Sequence, residues 1–395
     1  MGLHIAMLSA EYPPRWGGMG STVYHLSAAL VELGHKITII TRSGAGDAPE
    51  RAGITVREVS WLYAPMAFTK SYGKYALADL HQLNASNPVD VVHLHCPMIS
   101  WTEKQFIDCR TNIAPIVSSL HGTWLGERDG LRIAAKQKEA AVWLNPNDMA
   151  ILISAGHYAK YERAALSGSN ICVANSQATK LDFQDRYSPP SEWHCEVIHW
   201  GVDTDMFHPD ESPSETTTQK LLAVGRLAAR KGYGSLLRAF AEVKSRNNDT
   251  ELLIVGRGKL RKKLEKQAKK LGISNSVIID SGMSFEKLAE EFRRADLVVY
   301  PSYYEGQGLI PLEAMASGTP VATVDHGPLP EMVDETVGTL FTMGDIDSMS
   351  SAILTLLADK DEMQKRGEKG RERVLSNFTY KGNAEEYSSI YYSLV

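Results

Sequence analysis

Twice along the chain, short apolar runs alternate with amphipathic helical patterns, and this alternation limits the available folds more than any other feature. Ile5-Ala6-Met7-Leu8 reads as a strand. A turn-rich loop, Glu11 to Gly20, leads into Val23, Leu26, Leu30 and Leu33 on one helix face, stopped by Gly34. Lys36 to Ile40 is the next strand, so the chain opens on a β-α-β unit and predicts a parallel sheet. Further strands fit Asp90–Leu94, Pro115–Leu120 and Ile171–Ala174. The second half repeats the plan. Lys220–Val224 ends at Gly225, a helix follows with Leu236, Leu237, Phe240 and Val243, and Glu251–Val255 again ends in glycine. Val277–Ile279, Leu297–Tyr300 and Pro320–Thr323 complete the alternation. The fold class is therefore α/β, with two facing Rossmann-like domains, parallel sheets and an interdomain cleft, expected as residues 1–207 and 208–379. The polar stretch 208–219 is the expected linker. A length of 395 residues accommodates this plan.

Composition excludes several functions. A net charge of −5 does not suit a chain that neutralises long nucleic acid by bulk charge, so no nucleic-acid partner is expected. No apolar run approaches the roughly 18 residues of a membrane span. Met1 to Ala6 carries no basic leader, so a cytoplasmic location is expected. Cys96, Cys109, Cys172 and Cys195 show no C-x-x-C spacing and read as buried thiols rather than a disulfide framework or zinc site.

Two segments carry chemistry. Glu305-Gly306-Gln307-Gly308-Leu309-Ile310-Pro311-Leu312-Glu313 sets two carboxylates around a glycine turn and a helix start. Glycines let backbone approach a ligand, and the opening amides of a helix favour phosphate. Eight residues of helix reach at most about 12 Å, roughly a nucleoside diphosphate. The spacing alone is equally that of a surface loop and a capped helix. The second segment, Gly225-Arg226-Leu227-Ala228-Ala229-Arg230-Lys231-Gly232, follows a strand with cations that could neutralise a diphosphate, or simply be solvated.

These two segments follow the N-terminal Pro13-Pro14…Gly17-Gly18-Met19-Gly20 loop, and in this order they resemble the retaining glycosyltransferases of the GT-B, family 4 type (group 1). Supporting matches are His121-Gly122-Thr123, Val173-Ala174-Asn175-Ser176, Gly201-Val202-Asp203 and Gly318-Thr319-Pro320-Val321. The resemblance implies a hexosyltransferase that uses a nucleotide-diphosphate sugar as donor substrate, with no other cofactor and no metal. The acceptor would be a hydroxyl of a glycan, a lipid-linked molecule or a small molecule. The first domain would bind acceptor and the second donor, with a helix at about 380–395 returning to the first. Glu305 would hold donor-sugar hydroxyls and Glu313 the ribose. Amides from Gly306 through Gln307 and Gly308 to Leu309 would hold the diphosphate, with Gly225, Arg226 and Lys231. Gly17, Gly18 and Gly20 would close on the phosphates, and Gly256, Arg257 and Met283 would frame the base. His121 would line the catalytic centre with Arg226, Lys231 and Glu305. Trp16 and Trp124, beside the glycine loop and His121, would contact acceptor. Gln307 and His199-Trp200 depart from the family pattern. The same fold also admits a nucleotide-sugar epimerase, and a non-catalytic sugar-nucleotide-binding protein is a third reading.

Three further features carry plainer readings. Asp203-Thr204-Asp205 spells D-x-D but reads as a structural turn. His93 and His95 share a strand face, with no recognisable third zinc ligand. Residues 257–270 carry eight basic residues and one acidic, with Leu260, Leu264, Ala268 and Leu271 as an apolar stripe. This is an amphipathic helix with a solvated face, or else a peripheral contact with the inner face of a membrane.

Overall fold

The computed structural model describes residues 2–14, 17–139, 145–210 and 218–395. Seven strands, β1 (His4–Leu8), β2 (Lys36–Arg42), β3 (Ile54–Val59), β4 (Val91–Cys96), β5 (Ile116–Leu120), β6 (Ile171–Ala174) and β7 (Cys195–Val197), pair in parallel in the order β3-β2-β1-β4-β5-β6-β7. Six more, β8 (Gln219–Val224), β9 (Thr250–Val255), β10 (Val277–Asp280), β11 (Leu297–Tyr300), β12 (Val321–Val324) and β13 (Gly338–Phe341), form a second parallel sheet in the order β10-β9-β8-β11-β12-β13. Strand order reverses between β1 and β4 in one sheet and between β8 and β11 in the other. The carboxyl ends at such reversals open the crevices where ligands bind in this class of sheet.

The chain divides into two units. The first holds Met1–Arg128, Ala150–Gly201 and Tyr380–Val395, and the second holds Asp129–Met149 and Val202–Thr379. The expected linker lies mostly on residues outside those described; the division falls at Gly201–Val202. The assignment of Asp129–Met149 to the second unit has no counterpart in the sequence reading. Its physical basis is Glu139, whose buried carboxylate accepts from the amides of Gly234 and Ser235 at 2.9 and 2.7 Å and so caps the helix Tyr233–Arg246.

In the first unit the sheet is buried on both faces. Ala6 and Leu8 of β1 enter one apolar cluster, while Ile5 and Met7 enter the other. This explains the unbroken apolar runs, since a parallel sheet covered on both sides has no polar face to display. The helix Tyr380–Tyr392 belongs to this unit and buries Tyr387 and Tyr391 in the second of these clusters. The helix Gly18–Glu32 ends before Leu33, which is 39% exposed rather than on the core face. The second unit has one large core in which Leu236, Leu237, Phe240 and Val243 are fully enclosed.

The sequence pattern does not mark β3, β7 or β13, and all three are edge strands. An edge strand need not be apolar on both faces. β3 accordingly carries Arg57 and Glu58, and β7 is only three residues long. All four cysteines are buried and free. Among the described residues no helix is long and apolar enough to cross a membrane, and no three His, Cys, Asp or Glu side chains gather as a metal site.

Tyr391 is 0% exposed, and its hydroxyl pairs with His93 Nδ1 at 2.7 Å. Tyr391→Ala should cost about 3–5 kcal/mol in urea unfolding. Tyr391→Phe, which keeps the ring, should cost about 1 kcal/mol. Equal midpoints for wild type and Tyr391→Ala would contradict docking of the C-terminal helix on the first unit.

Candidate functional site

β8 and β11 lie side by side, so the loops at their carboxyl ends bring the two sequence motifs together. Gly225 leaves β8 with φ +140°, a conformation that L side chains rarely adopt. A Cβ on Gly256, at the end of β9, would stand 1.8 Å from the Gly225 carbonyl oxygen, so close packing of the two strand ends requires glycine there. Beyond them Lys231 is 8% exposed. Its Nζ donates to the Tyr300 hydroxyl at 2.7 Å and is paired with Glu305 Oε1. Ser302 donates to the same carboxylate oxygen at 2.5 Å, and Arg230 Nη1 lies 3.5 Å from it while donating to the Tyr304 carbonyl.

This cluster separates the titrations of its members. Burial alone would raise the Glu305 carboxyl, but Lys231, Arg230 and the hydrogen bonds from Lys231 and Ser302 hold it at about 2. Burial draws Lys231 down to about 8 against the upward pull of Glu305, and the charges of Arg230 and Arg226 add to the lowering. Arg226 is exposed but is close enough for its charge to be felt there. Arg230, Tyr300 and Ser302 are members of the cluster that the sequence reading did not assign. The string Arg230-Lys231 was a signal for the first; nothing local marked the other two.

The helix Leu309–Ala316 starts beside this cluster. Its cap residue Gly308 has φ +102°, no side chain caps the helix, and its first turn holds no acid. The first-turn amides of Leu309 and Ile310 therefore have no intrahelical partner, while Pro311 has no N–H to offer. Gly306 stands half-buried in the turn, and Gln307 is 1% exposed with its amide against Met332 Sδ. One turn into the helix, Glu313 Oε2 is shut from solvent and has no hydrogen-bond partner among the described residues. Burial raises this carboxyl to about 7. Arg257 follows β9, and its Nε donates to the Ser281 carbonyl at 3.1 Å, two residues before the half-buried Met283. The two expected base-framing segments are thus neighbours.

In the first unit His121 follows β5. Its Nε2 lies 3.0 Å from His95 Nδ1, and its Nδ1 is buried without a partner among the described residues. Glu162 and Asp182 brace the next turn. Glu162 accepts from the Trp124 amide at 3.0 Å and the Tyr187 hydroxyl at 2.5 Å, and Thr123 donates to Asp182 at 2.6 Å. Burial raises Glu162 to about 8. Sequence reading missed both residues. Trp124, one of the two expected acceptor residues, is 6% exposed. The other expected acceptor residue, Trp16, lies outside the described residues. Gly17 caps the helix Gly18–Glu32, which includes Gly18 and Gly20, and a Cβ on Gly17 would meet the Glu11 carboxylate at 2.4 Å.

Two family profiles match. Glycosyltransferase Family 4 covers residues 16–206, and Glycosyl transferases group 1 covers residues 206–373. The glycogen synthase of Mycobacterium tuberculosis is 27% identical over 98% of this chain and 94% of its own length. The MMP alpha-(1->4)-mannosyltransferase of Mycolicibacterium hassiacum is 27% identical over 98% of both. The solved sucrose-phosphate synthase of Thermosynechococcus elongatus superposes with a TM-score of 0.80 at 22% identity, covering 99% of each chain. The two profiles span residues 16–373 and join on the two parallel-sheet units, and the chain belongs to the GT-B glycosyltransferases of the family 4, group 1 type.

Proposed function

We propose that the protein is a retaining hexosyltransferase that moves a sugar from a nucleoside diphosphate to a hydroxyl acceptor. The observation that carries this reading is the buried Lys231–Glu305–Arg230 cluster at the start of an uncapped helix. The bond from the sugar's anomeric carbon to the diphosphate breaks, and negative charge grows on the leaving oxygen. Arg226, Arg230, Lys231 and the amides of Leu309 and Ile310 are the groups assigned to that charge, so side chains rather than a metal ion neutralise it. The acceptor oxygen attacks from the same face, and its proton passes to the departing phosphate oxygen. Glu305 accepts from hydroxyls of the sugar, Glu313 from those of the ribose, and His121 faces the transferring sugar. Relatives named for glycogen synthesis and for mannosyl transfer support a hexose, without selecting one.

The test is product NMR with α-linked UDP, GDP and ADP hexoses over an acceptor panel. An α-linked product is expected, and an inverted linkage would sink the retaining assignment. Arg226→Ala should lose transfer by at least about 10²-fold, the scale of one lost charge stabiliser. Lys231→Ala is the poorer probe, because stranding Glu305 in the interior costs about 3–5 kcal/mol of stability in addition.

The carboxylate that receives the ribose is present above about 7, and the ammonium that faces the diphosphate is present below about 8. The donor kcat/KM should therefore peak between these values and fall on both sides. Glu313→Gln should flatten the acid limb and leave the basic one. An unchanged acid limb would remove Glu313 from the donor site.

The cationic stretch 257–270 supports a second contact. The helix Arg261–Lys270 buries Leu264 and Ala268 in the second core, while all eight basic side chains of the stretch are exposed. The apolar stripe is thus already consumed, and any attachment to anionic lipid would be electrostatic. Flotation with vesicles containing phosphatidylserine should capture the protein at low salt and release it at high salt. Capture that persists at high salt would contradict an electrostatic contact.

A further inference from the structure

Among the described residues, the ring of His121 is hydrogen-bonded through one nitrogen only. Its Nε2 lies 3.0 Å from His95 Nδ1, with the two rings 5.2 Å apart and nearly parallel at 15°. His95 is 1% exposed, and its ring is also stacked with His93 at 4.3 Å. His93 in turn is anchored at both nitrogens, Nε2 to Ser119 Oγ and Nδ1 to the Tyr391 hydroxyl, each at 2.7 Å. Ser119 is also bonded to the Tyr387 hydroxyl at 2.8 Å. The C-terminal helix, His93, His95 and His121 thus form one continuous column inside the first unit. His93 stacks on the face of His95, and His121 meets its edge through the Nδ1–Nε2 hydrogen bond, so His95 is fixed from two directions. Its Nε2 and His121 Nδ1 are both buried without partners among the described residues.

We propose that His95 is a positioning residue for transfer: it grips His121 at Nε2 and so presents His121 Nδ1 to the transferring sugar. The inference rests on the reading of His121 as a sugar-facing group. It adds a constraint that the reading does not contain. Burial holds both imidazoles neutral, His95 at about 3. One proton must lie between His95 Nδ1 and His121 Nε2. If His121 donates, both rings are the Nε2–H tautomer, and His121 Nδ1 can accept from a sugar hydroxyl. If His95 donates, both rings are the Nδ1–H tautomer, and His121 Nδ1 can donate to one. The two rings therefore always share a tautomer, and the hydrogen-bonding sense that His121 offers the substrate is set together with that of His95.

Two measurements test this. Long-range proton–nitrogen NMR of the wild-type chain should find His95 and His121 in the same tautomer; opposite tautomers would overturn the proposal without reference to activity. In kinetics, His95→Phe keeps a stacked ring but deletes both nitrogens. It should lower kcat by roughly 10- to 100-fold, the scale of a misplaced catalytic group, with donor KM changed by less than about 2-fold. His95→Asn returns a polar atom near the Nδ1 position and should recover part of that loss, which a packing role alone would not allow. Full activity in His95→Phe beside an inactive His121→Ala would overturn the role of His95 and leave that of His121. Full activity in His121→Ala would overturn the sugar-facing reading, and the proposal with it.

Discussion

A lysine and a glutamate taken out of water together organise the second unit's site. Neither could be buried alone, because an isolated charge in an interior of low dielectric costs far more than a fold can spare. As a pair they are tolerable, provided the remaining lone pairs and protons are met. Tyr300, Ser302 and Arg230 meet them. The requirement reaches into the sheet: Tyr300 is the last residue of β11, Lys231 follows β8, and the two strands must be neighbours for the bond to form. The strand-order reversal, the positive φ of Gly225 and the buried pair are therefore one arrangement seen at three scales.

The two carboxylates of the motif are eight positions apart, but their surroundings drive them in opposite directions. Glu305 is surrounded by cations and is held ionised at about 2. Glu313 is shielded from solvent without a compensating charge and rises to about 7. Sequence spacing alone would treat them as equivalent. In the fold, one is a fixed acceptor whose orientation is set by Lys231 and Ser302, and the other is a carboxyl that burial draws toward its neutral form.

The legible part of the fold was whatever burial imposes on composition. Strands covered on both faces are continuous apolar runs, so β1, β4, β8 and β11 stood out, and with them the reversals that place the site. Three of the four edge strands, β3, β7 and β13, did not, because an edge position relaxes that demand; the fourth, β10, kept an apolar run, Val277–Ile279. Likewise Lys231 and Glu305, which the fold brings into contact, both lie in motifs that can be read in order along the chain. Tyr300, Glu139 and Glu162 could not be read in this way, since each acts on a residue distant in sequence, Glu139 across 95 positions to Gly234, and Ser302, although only three positions from Glu305, is a residue type too common to mark a site.

The net charge of −5 belongs to the same argument. It excludes bulk attraction to a long polyanion, yet the second unit contains two concentrated positive regions that the sum conceals. In one, Lys231 is paired with Glu305 and enclosed, so its charge is little screened by solvent. In the other, along residues 257–270, the charges are exposed and screened by salt within about 8 Å at physiological ionic strength. The charges of the enclosed cluster are weakly screened, and those of the exposed stretch are strongly screened. Burial, rather than the count of cations, is what separates these two regions.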